Sequence, residues 1–294
     1  MKQQTIAEAI HGVGIGLHKG IPIKISLEPL DADSGVVFHR TDINEYIEAK
    51  PQNVIDTRMA TVVGKDKDRF VSTIEHLLSA IYAFGIDNIL IKLDSYEVPI
   101  MDGSSASFCM MLKDAGIKKL DKVRKVILIK DKVKVEKDDK YVSLEPSLTP
   151  SYDFSVNFKH PAIGLQKYSF AFTKSNYLNE IARARTFGFV KDIQMLRKND
   201  LALGGSLENA IVLDEKRILN LEGLRYENEF VRHKILDAIG DLTLLGYPYI
   251  GAYKSHAGSH NLNHELTLEL LKKPDSYEII DLDGIKEMVF YDQN

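Results

Sequence analysis

One histidine and two aspartates recur at four-residue intervals in the second half of the chain. His233, Asp237 and Asp241 stand at positions i, i+4 and i+8, so a helix would place them along one face. An imidazole nitrogen and a carboxylate oxygen one helical turn apart can bind the same metal ion. The alternative is a hydrogen-bonded pair on a helix surface. Ile235 and Ile239 indicate a helix packed into a core, where unpaired charge is costly. The spacing leaves a metal or catalytic site and a structural pair as equal alternatives.

Two further histidines stand where helices are expected to begin. Glu75 directly precedes His76, and adjacent helix positions point about 100° apart. Both can reach one site only where the helix end faces a cleft, so the pair alone favours a surface glutamate beside a partly buried histidine. His260 follows Ser259, which is typical of a loop that presents a side chain at a helix N-terminus, or of an ordinary capped turn. Asp241 is a candidate to orient the imidazole of His260.

The elements that must position these residues follow the same order in both halves. In the first half, residues 21–27 alternate as a strand, residues 74–85 have helical spacing, and residues 88–93 predict another strand. In the second half, the corresponding predictions are a helix over 229–245, a strand over 249–253 and a helix over 264–271. This order predicts an α+β fold of two similar α/β-sandwich domains, each a sheet packed on helices.

The predicted domains are residues 1–122 and residues 123–294. Between them, the lysine-rich residues 113–125 favour a solvated linker, with a phosphate-binding patch as the alternative.

Composition excludes several other classes of protein. The chain has 294 residues, of which 44% are hydrophobic and 27% charged, so it is not disordered. A net charge of -4 argues against general nucleic-acid binding. The single cysteine, Cys109, excludes an internal disulfide and a Cys-rich zinc site. No apolar run is long enough to span a membrane, so we expect a cytoplasmic protein without stable membrane insertion. The glycines of residues 12–18 lack the spacing of a dinucleotide-binding loop.

Seven short segments, taken together and in order, resemble one family. They are GIGLH (14–18), STIEHL (72–77), GIDN (85–88), PIMDGS (99–104), ARTFGF (184–189), GGSL (204–207) and GLRYENEFVRHK (223–234). The family is that of the zinc-dependent UDP-3-O-acyl-N-acetylglucosamine deacetylases of lipid A biosynthesis, and the resemblance extends from residue 1 to about residue 272. Ser259 is a departure, because the family usually has glycine at that position.

The resemblance implies a metal site between the two domains. His76, His233 and Asp237 would hold a zinc ion, with iron(II) as an alternative for the same ligands. Three protein ligands leave a fourth position for water, as in catalytic zinc sites. Glu75, beside a ligand, would be the general base for that water.

The resemblance also assigns the rest of the reaction. Thr186 would stabilise the developing oxyanion, and His260, steadied by Asp241, would donate a proton to the departing amine. Lys234 is implied to project from another face of its helix and meet the diphosphate. Phe187 and Phe189 would offer flat apolar surfaces to the substrate, and Phe187 is the better candidate for contact with the sugar or uracil.

The acyl chain of the substrate is implied to bind an inserted segment, residues 190–213. Contacts from Ile193, Leu196 and Leu203 would form a hydrophobic passage; the alternative is that these side chains only fill a core.

The implied function is hydrolysis of the N-acetyl group of a UDP-linked acylated amino sugar by a monomeric enzyme. Two alternatives are a zinc amidase for another N-acyl sugar and a non-catalytic nucleotide-sugar binding protein.

Overall fold

The computed structural model describes residues 1–198 and 201–282. The last part of the predicted second domain, residues 283–294, and residues 199–200 of segment 190–213 lie outside the described residues. Up to residue 123, the elements are β1 Lys2–Ile6, β2 Ile10–Ile15, β3 Pro22–Pro29, β4 Val36–Arg40, β5 Glu45–Glu48, β6 Val54–Asp56, β7 Val62–Gly64, β8 Phe70–Val71, α1 Glu75–Ala83, β9 Ile89–Leu93, α2 Ala106–Ala115 and β10 Ile117–Val123. From residue 125 they are β11 Lys125–Ile129, β12 Val133–Lys137, β13 Lys140–Glu145, β14 Ser151–Phe158, β15 Gly164–Ala171, α3 Lys174–Glu180, β16 Phe187–Phe189, α4 Val190–Lys198, β17 Ile211–Leu213, α5 Glu229–Thr243, β18 Tyr249–Ile250, β19 Ala252–His256, α6 His260–Leu271 and β20 Tyr277–Asp281.

The two halves contain sheets of the same topology. The first sheet has the strand order β2-β3-β9-β4-β5, and its parallel pair is β9 with β4. The second has the order β12-β13-β19-β14-β15, and its parallel pair is β19 with β14. The helices α1 and α2 stand before and after β9 in the chain, as α5 and α6 stand before and after β18 and β19. The predicted α+β class with two similar halves is confirmed, while the boundary between residues 122 and 123 stays a prediction.

The helices α1 and α5 pack against each other in a core that joins both halves. Every residue of α1 is buried, and so is nearly every residue of α5. On its other side α5 contacts β14 and β15. In β3 the alternating residues Ile23, Ile25 and Leu27 are buried, as the period of a half-buried strand requires. The polar side chains carried by α1 and α5 therefore lie at the centre of the molecule.

A glycine sets the distance between these two helices. A methyl group at Gly240 would lie 2.0 Å from the carbonyl oxygen of Glu75 and 2.9 Å from its Cα atom. Only a residue without a side chain allows two backbones to approach this closely. The main chain at the start of α1 therefore lies directly on α5.

The lysine-rich segment between the halves is not a linker throughout. Residues 117–123 form β10, which pairs antiparallel with β1 from Ile6↔Ile117 to Lys2↔Val123. Because β10 belongs to a two-stranded ribbon, most of its side chains are exposed, and its lysines remain in contact with water. The prediction of a solvated linker is wrong for these residues, since their strand depends on a partner more than 100 positions away.

Two other predicted elements differ in their bounds. The last helix begins at His260, four residues earlier than predicted, because the hydroxyl of Ser259 accepts a hydrogen bond from the backbone N–H of Leu262 and caps it. The strand predicted over 249–253 is divided at Gly251 between two sheets. Among the described residues, no helix is long and apolar enough to cross a membrane.

Substitution of Gly240 by alanine is expected to lower the free energy of unfolding by about 1–3 kcal/mol, the usual cost of overpacking. The cause is the overlap with Glu75, which outweighs the better helix propensity of alanine. The measurement is urea denaturation followed by circular dichroism. Gly188→Ala is the control, because its added methyl group would have its nearest atom at 3.7 Å. Equal stability of the two variants would contradict a packing role for Gly240.

Candidate active site

Three side chains from α1 and α5 converge on one point. His76 lies in the first turn of α1, and His233 and Asp237 lie one turn apart on α5. Their candidate ligand atoms all lie within 4.8 Å of one another. The Nε2 atoms of His76 and His233 lie 3.5 and 3.3 Å from Oδ1 of Asp237. The structure thus brings together the three residues that the sequence analysis proposed as metal ligands.

The chemistry of this cluster fits a divalent metal ion. All three side chains are buried, and Oδ1 of Asp237 has no hydrogen-bond partner among the described residues. A buried carboxylate oxygen without a partner is costly, and a cation at the point of convergence would remove that cost. Two imidazoles and a carboxylate are a known ligand set of catalytic zinc. Burial lowers the pKa of His233 to about 3, so its imidazole is neutral, the form that binds metal.

A buried ion pair orients His233. Its Nδ1 atom is 3.0 Å from the carbonyl oxygen of Ala184, which leaves Nε2 directed at the cluster. The next residue, Arg185, is held by Glu229 at 2.9 Å through both its backbone N–H and its Nε atom. Glu229 also accepts the backbone N–H of Arg225. The segments ARTFGF and GLRYENE therefore meet at this ion pair, which places the Ala184 carbonyl against the imidazole.

Glu75, His260 and Asp241 form a chain of polar contacts beside the cluster. Nδ1 of His260 lies 2.9 Å from Oδ2 of Asp241, and its Nε2 lies 3.8 Å from Oε1 of Glu75. Burial lowers the pKa of His260, but the carboxylates of Asp241 and Glu75 outweigh it and raise this pKa to about 9. Burial also raises the pKa of Glu75. His260 is therefore held in its protonated form at neutral pH.

The sequence analysis missed the residue that connects the two carboxylates. The hydroxyl of Thr61 donates to Oδ1 of Asp241 at 2.5 Å, and its backbone N–H donates to Oε2 of Glu75 at 3.1 Å. Asn263 donates to the other oxygen of Asp241 at 2.8 Å. A single threonine 180 positions from Asp241 gives no periodic or spacing signal, so only the folded chain reveals it.

A cavity of about 230 Å³ opens onto these groups. Among the predicted residues, it is lined by Glu75, His76, Thr186, Phe187, His233, Lys234, Asp237 and His260. Leu17 and Phe158 also line it and were not predicted. Lys234 was expected to project from another face of α5, but its Nζ atom donates to Oδ2 of Asp237 at 2.8 Å. Its role toward a diphosphate stays a prediction.

The predicted acyl-chain contacts lie outside this cavity. The strands β16 and β17 pair in parallel, and α4 follows β16 directly. Ile193 and Leu196 are half-buried on α4, which has no buried residue, and Leu203 is exposed. Phe189 packs against Phe158 and His160. Residues 199–200 lie outside the described residues. The side chains of Phe189, Ile193, Leu196 and Leu203 are incompletely covered, and their role stays a prediction.

Known proteins resemble this chain over nearly its whole length. A family model described as LpxC, UDP-3-O-acyl N-acetylglycosamine deacetylase, matches residues 3–272. The UDP-3-O-acyl-N-acetylglucosamine deacetylase of Campylobacter fetus subsp. fetus is 60% identical over 286 residues, 97% of each chain. The protein of the same name from Campylobacter jejuni serotype O:2 is 60% identical over 290 residues, 99% of this chain and 98% of the relative. The one from Nitratiruptor sp. is 60% identical over 281 residues, 96% of this chain and 94% of the relative.

Asp237→Ala is expected to weaken metal binding by more than the roughly 10–100-fold that loss of an outer-shell partner costs, because a ligand itself is removed. The measurement is metal content by mass spectrometry after dialysis against graded concentrations of chelator. Glu75→Ala is the matched control, since it removes a buried carboxylate beside His76 that is not a ligand. Stoichiometric metal at unchanged affinity in Asp237→Ala would remove Asp237 from the ligand set.

Proposed function

The chain belongs to the UDP-3-O-acyl-N-acetylglucosamine deacetylase family, and from this membership we propose that it hydrolyses the N-acetyl group of UDP-3-O-(3-hydroxyacyl)-N-acetylglucosamine. The products are acetate and the free amine, in lipid A biosynthesis. The observation that carries the proposal is the convergence of the buried side chains of His76, His233 and Asp237 with Glu75 and His260 at one cavity. The protein is thus a hydrolase that acts on an amide.

We propose that His76, His233 and Asp237 hold zinc, with iron(II) as the alternative. Such a metal supplies a Lewis acid for the amide carbonyl and lowers the pKa of a bound water molecule. The protein contributes the neutral imidazole of His233, oriented by the Ala184 carbonyl, the imidazole of His76, and an aspartate oxygen without a hydrogen-bond partner among the described residues.

Glu75 is the proposed general base. It is adjacent to His76 in the chain but is not part of the ligand cluster, and its side chain lines the cavity. The backbone N–H of Thr61 donates to Oε2 of Glu75, and the other oxygen, Oε1, faces His260. This oxygen can take a proton from a water molecule in the cavity.

His260 is the proposed general acid. Asp241 holds its Nδ1 atom, so the opposite nitrogen, Nε2, can donate a proton to the departing amine. Asp241 is itself fixed by Thr61 and Asn263, which restrict its orientation. The hydroxyl of Thr186, which lines the same cavity, is the proposed donor to the developing oxyanion.

The substrate is assigned to two neighbouring regions. Lys234 and Phe187, at the cavity, are proposed to contact the diphosphate and the sugar or uracil. Phe189 is proposed to offer a further apolar surface to the substrate, and the acyl chain is proposed to lie along Ile193, Leu196 and Leu203. Their incomplete burial supports this assignment, because each methylene they cover contributes about 0.8 kcal/mol. We also propose that the enzyme acts as a monomer, which light scattering would test.

The proposal is tested by acetate release from the acylated UDP-sugar before chelation, after chelation and after addition of substoichiometric zinc. We expect loss of activity on chelation and its return with zinc. Glu75→Ala, loaded with metal, is expected to lose about 10²–10⁴-fold in turnover, the usual contribution of a general base.

Other outcomes distinguish the alternatives. Turnover of a different N-acyl sugar in preference to the acylated UDP-sugar would favour another amidase. Tight binding of UDP without any turnover by a folded, zinc-loaded sample would favour a nucleotide-sugar binding protein. Full activity in Glu75→Ala would remove Glu75 as the base.

Asp241→Asn is expected to shift the alkaline limb of the pH–rate profile to lower pH. His260 acts in its protonated form, so activity falls as pH rises through its pKa, and the Asp241 carboxylate holds that pKa up. The measurement is kcat/KM for acetate release against pH. Asp153→Asn, the same change at an exposed position of β14, should leave the limb unmoved. An unmoved limb in Asp241→Asn would contradict this role.

A further inference from the structure

A buried carboxylate that the proposed mechanism does not use lies next to the active-site cavity. Glu97 is 1% exposed. Its oxygens accept the backbone N–H of His18, at 3.1 Å to each oxygen, and the hydroxyl of Thr73 at 3.3 Å. Burial raises the pKa of Glu97 to about 7. Burial of a carboxylate costs free energy unless hydrogen bonds replace its lost hydration, and here they come from two separate backbone segments.

The first segment that Glu97 holds is the loop after β2. A methyl group at Gly16 would lie 2.7 Å from Oε2 of Glu97, so the loop backbone rests directly on the carboxylate. The next residue, Leu17, lines the cavity. Glu97 therefore holds the backbone on which one residue of the cavity wall, Leu17, is carried.

The second segment that Glu97 holds leads into α1. Thr73 has a φ of +60°, a left-handed conformation that is unfavourable for a β-branched residue. Its hydroxyl donates to Glu97, and Thr73 itself lines the cavity two residues before Glu75. The carboxylate thus fastens a strained turn to the loop of residues 16–18.

The loop in turn holds the inserted segment. The carbonyl oxygens of His18 and Leu17 accept the backbone N–H groups of Leu203 and Gly204, each at 3.0 Å. A methyl group at Gly204 would lie 2.2 Å from the carbonyl oxygen of Gly16. The two backbones are therefore in direct contact, without space for a side chain between them.

We propose that Glu97 is a positioning residue for recognition of the acyl chain, acting through the loop of residues 16–18 on the backbone at Leu203 and Gly204. This inference rests on the proposed function, and it adds a residue that determines specificity without touching the substrate. With the carboxylate in place, the cavity wall and the acyl segment are held in one arrangement before the substrate binds. Pre-organisation of this kind lowers the entropic cost of binding the chain.

The test compares two substrates, the acylated UDP-sugar and UDP-N-acetylglucosamine, which lacks the chain. Glu97→Gln keeps the size of the side chain but leaves an amide NH₂ group where one oxygen accepted the N–H of His18. We expect KM for the acylated substrate to rise on the order of tenfold, with kcat and metal content little changed. The kcat/KM for UDP-N-acetylglucosamine should stay within about twofold, so the preference for the acylated substrate falls.

The control is Glu28→Gln on β3, which removes the same charge from a carboxylate that pairs with Lys92 at 2.7 Å, away from the loop. It should keep the wild-type preference. An unchanged preference in a folded Glu97→Gln, or an equal loss on both substrates, would overturn the proposal.

A second variant tests the same link without removing the carboxylate. Gly204→Ala forces the two backbones apart and should reduce the acyl preference. Gly205→Ala, whose methyl group would have its nearest atom at 3.4 Å, should reduce it less. If Glu97→Gln does not fold, the comparison of Gly204→Ala with Gly205→Ala tests the proposal instead. Equal losses of acyl preference in these two variants would overturn it.

The double variant Glu97→Gln/Gly204→Ala should lose little more acyl preference than either single variant, because both changes break the same connection between Glu97 and the backbone at Gly204. Fully additive losses would contradict this connection. Failure of the proposed function is distinguishable, since it would appear in the wild type as no acetate release or no preference for the acylated substrate.

Discussion

The contact between α1 and α5 is the constraint on which the active site depends. The backbone of Glu75 lies against Gly240, and each helix carries part of the candidate metal site near this contact. The distance between the side chains of His76 and Asp237 therefore depends on the distance between the two helices. Because packed helices resist changes of even one methylene in their interface, the cluster is held at a separation that side-chain rotation alone could not maintain.

Burial of so many charges is possible because almost every charge has a fixed partner. Asp241 accepts hydrogen bonds from Thr61, Asn263 and His260, and Arg185 is held by Glu229. Removal of one partner from such a network leaves the other buried and uncompensated, which is strongly destabilising. Oδ1 of Asp237 is an exception, because it is a buried atom without a hydrogen-bond partner among the described residues, and it faces the imidazoles of His76 and His233.

The repeated topology explains why the site is composed of dissimilar parts. Both halves provide a sheet with the same strand order, and α1 of the first half packs against α5 of the second. The first half contributes the N-terminus of α1, whereas the second contributes one face of α5 and the N-terminus of α6. A site between two similar units can thus combine groups that neither unit holds alone.

Local features of the fold follow from the amino-acid sequence alone. The spacing of His233, Asp237 and Asp241 predicted one face of a buried helix, and Ser259 before His260 indicated either a helix N-terminus or a capped turn, because helical period and capping depend on near neighbours. The family resemblance added the expected metal ligands. The bridge that Thr61 forms between the two carboxylates and the strand formed by residues 117–123 are visible only in the folded chain. These contacts join positions more than 100 residues apart or come from side chains without periodicity. Their existence depends on which surfaces meet when the core closes, and a local pattern does not carry that information.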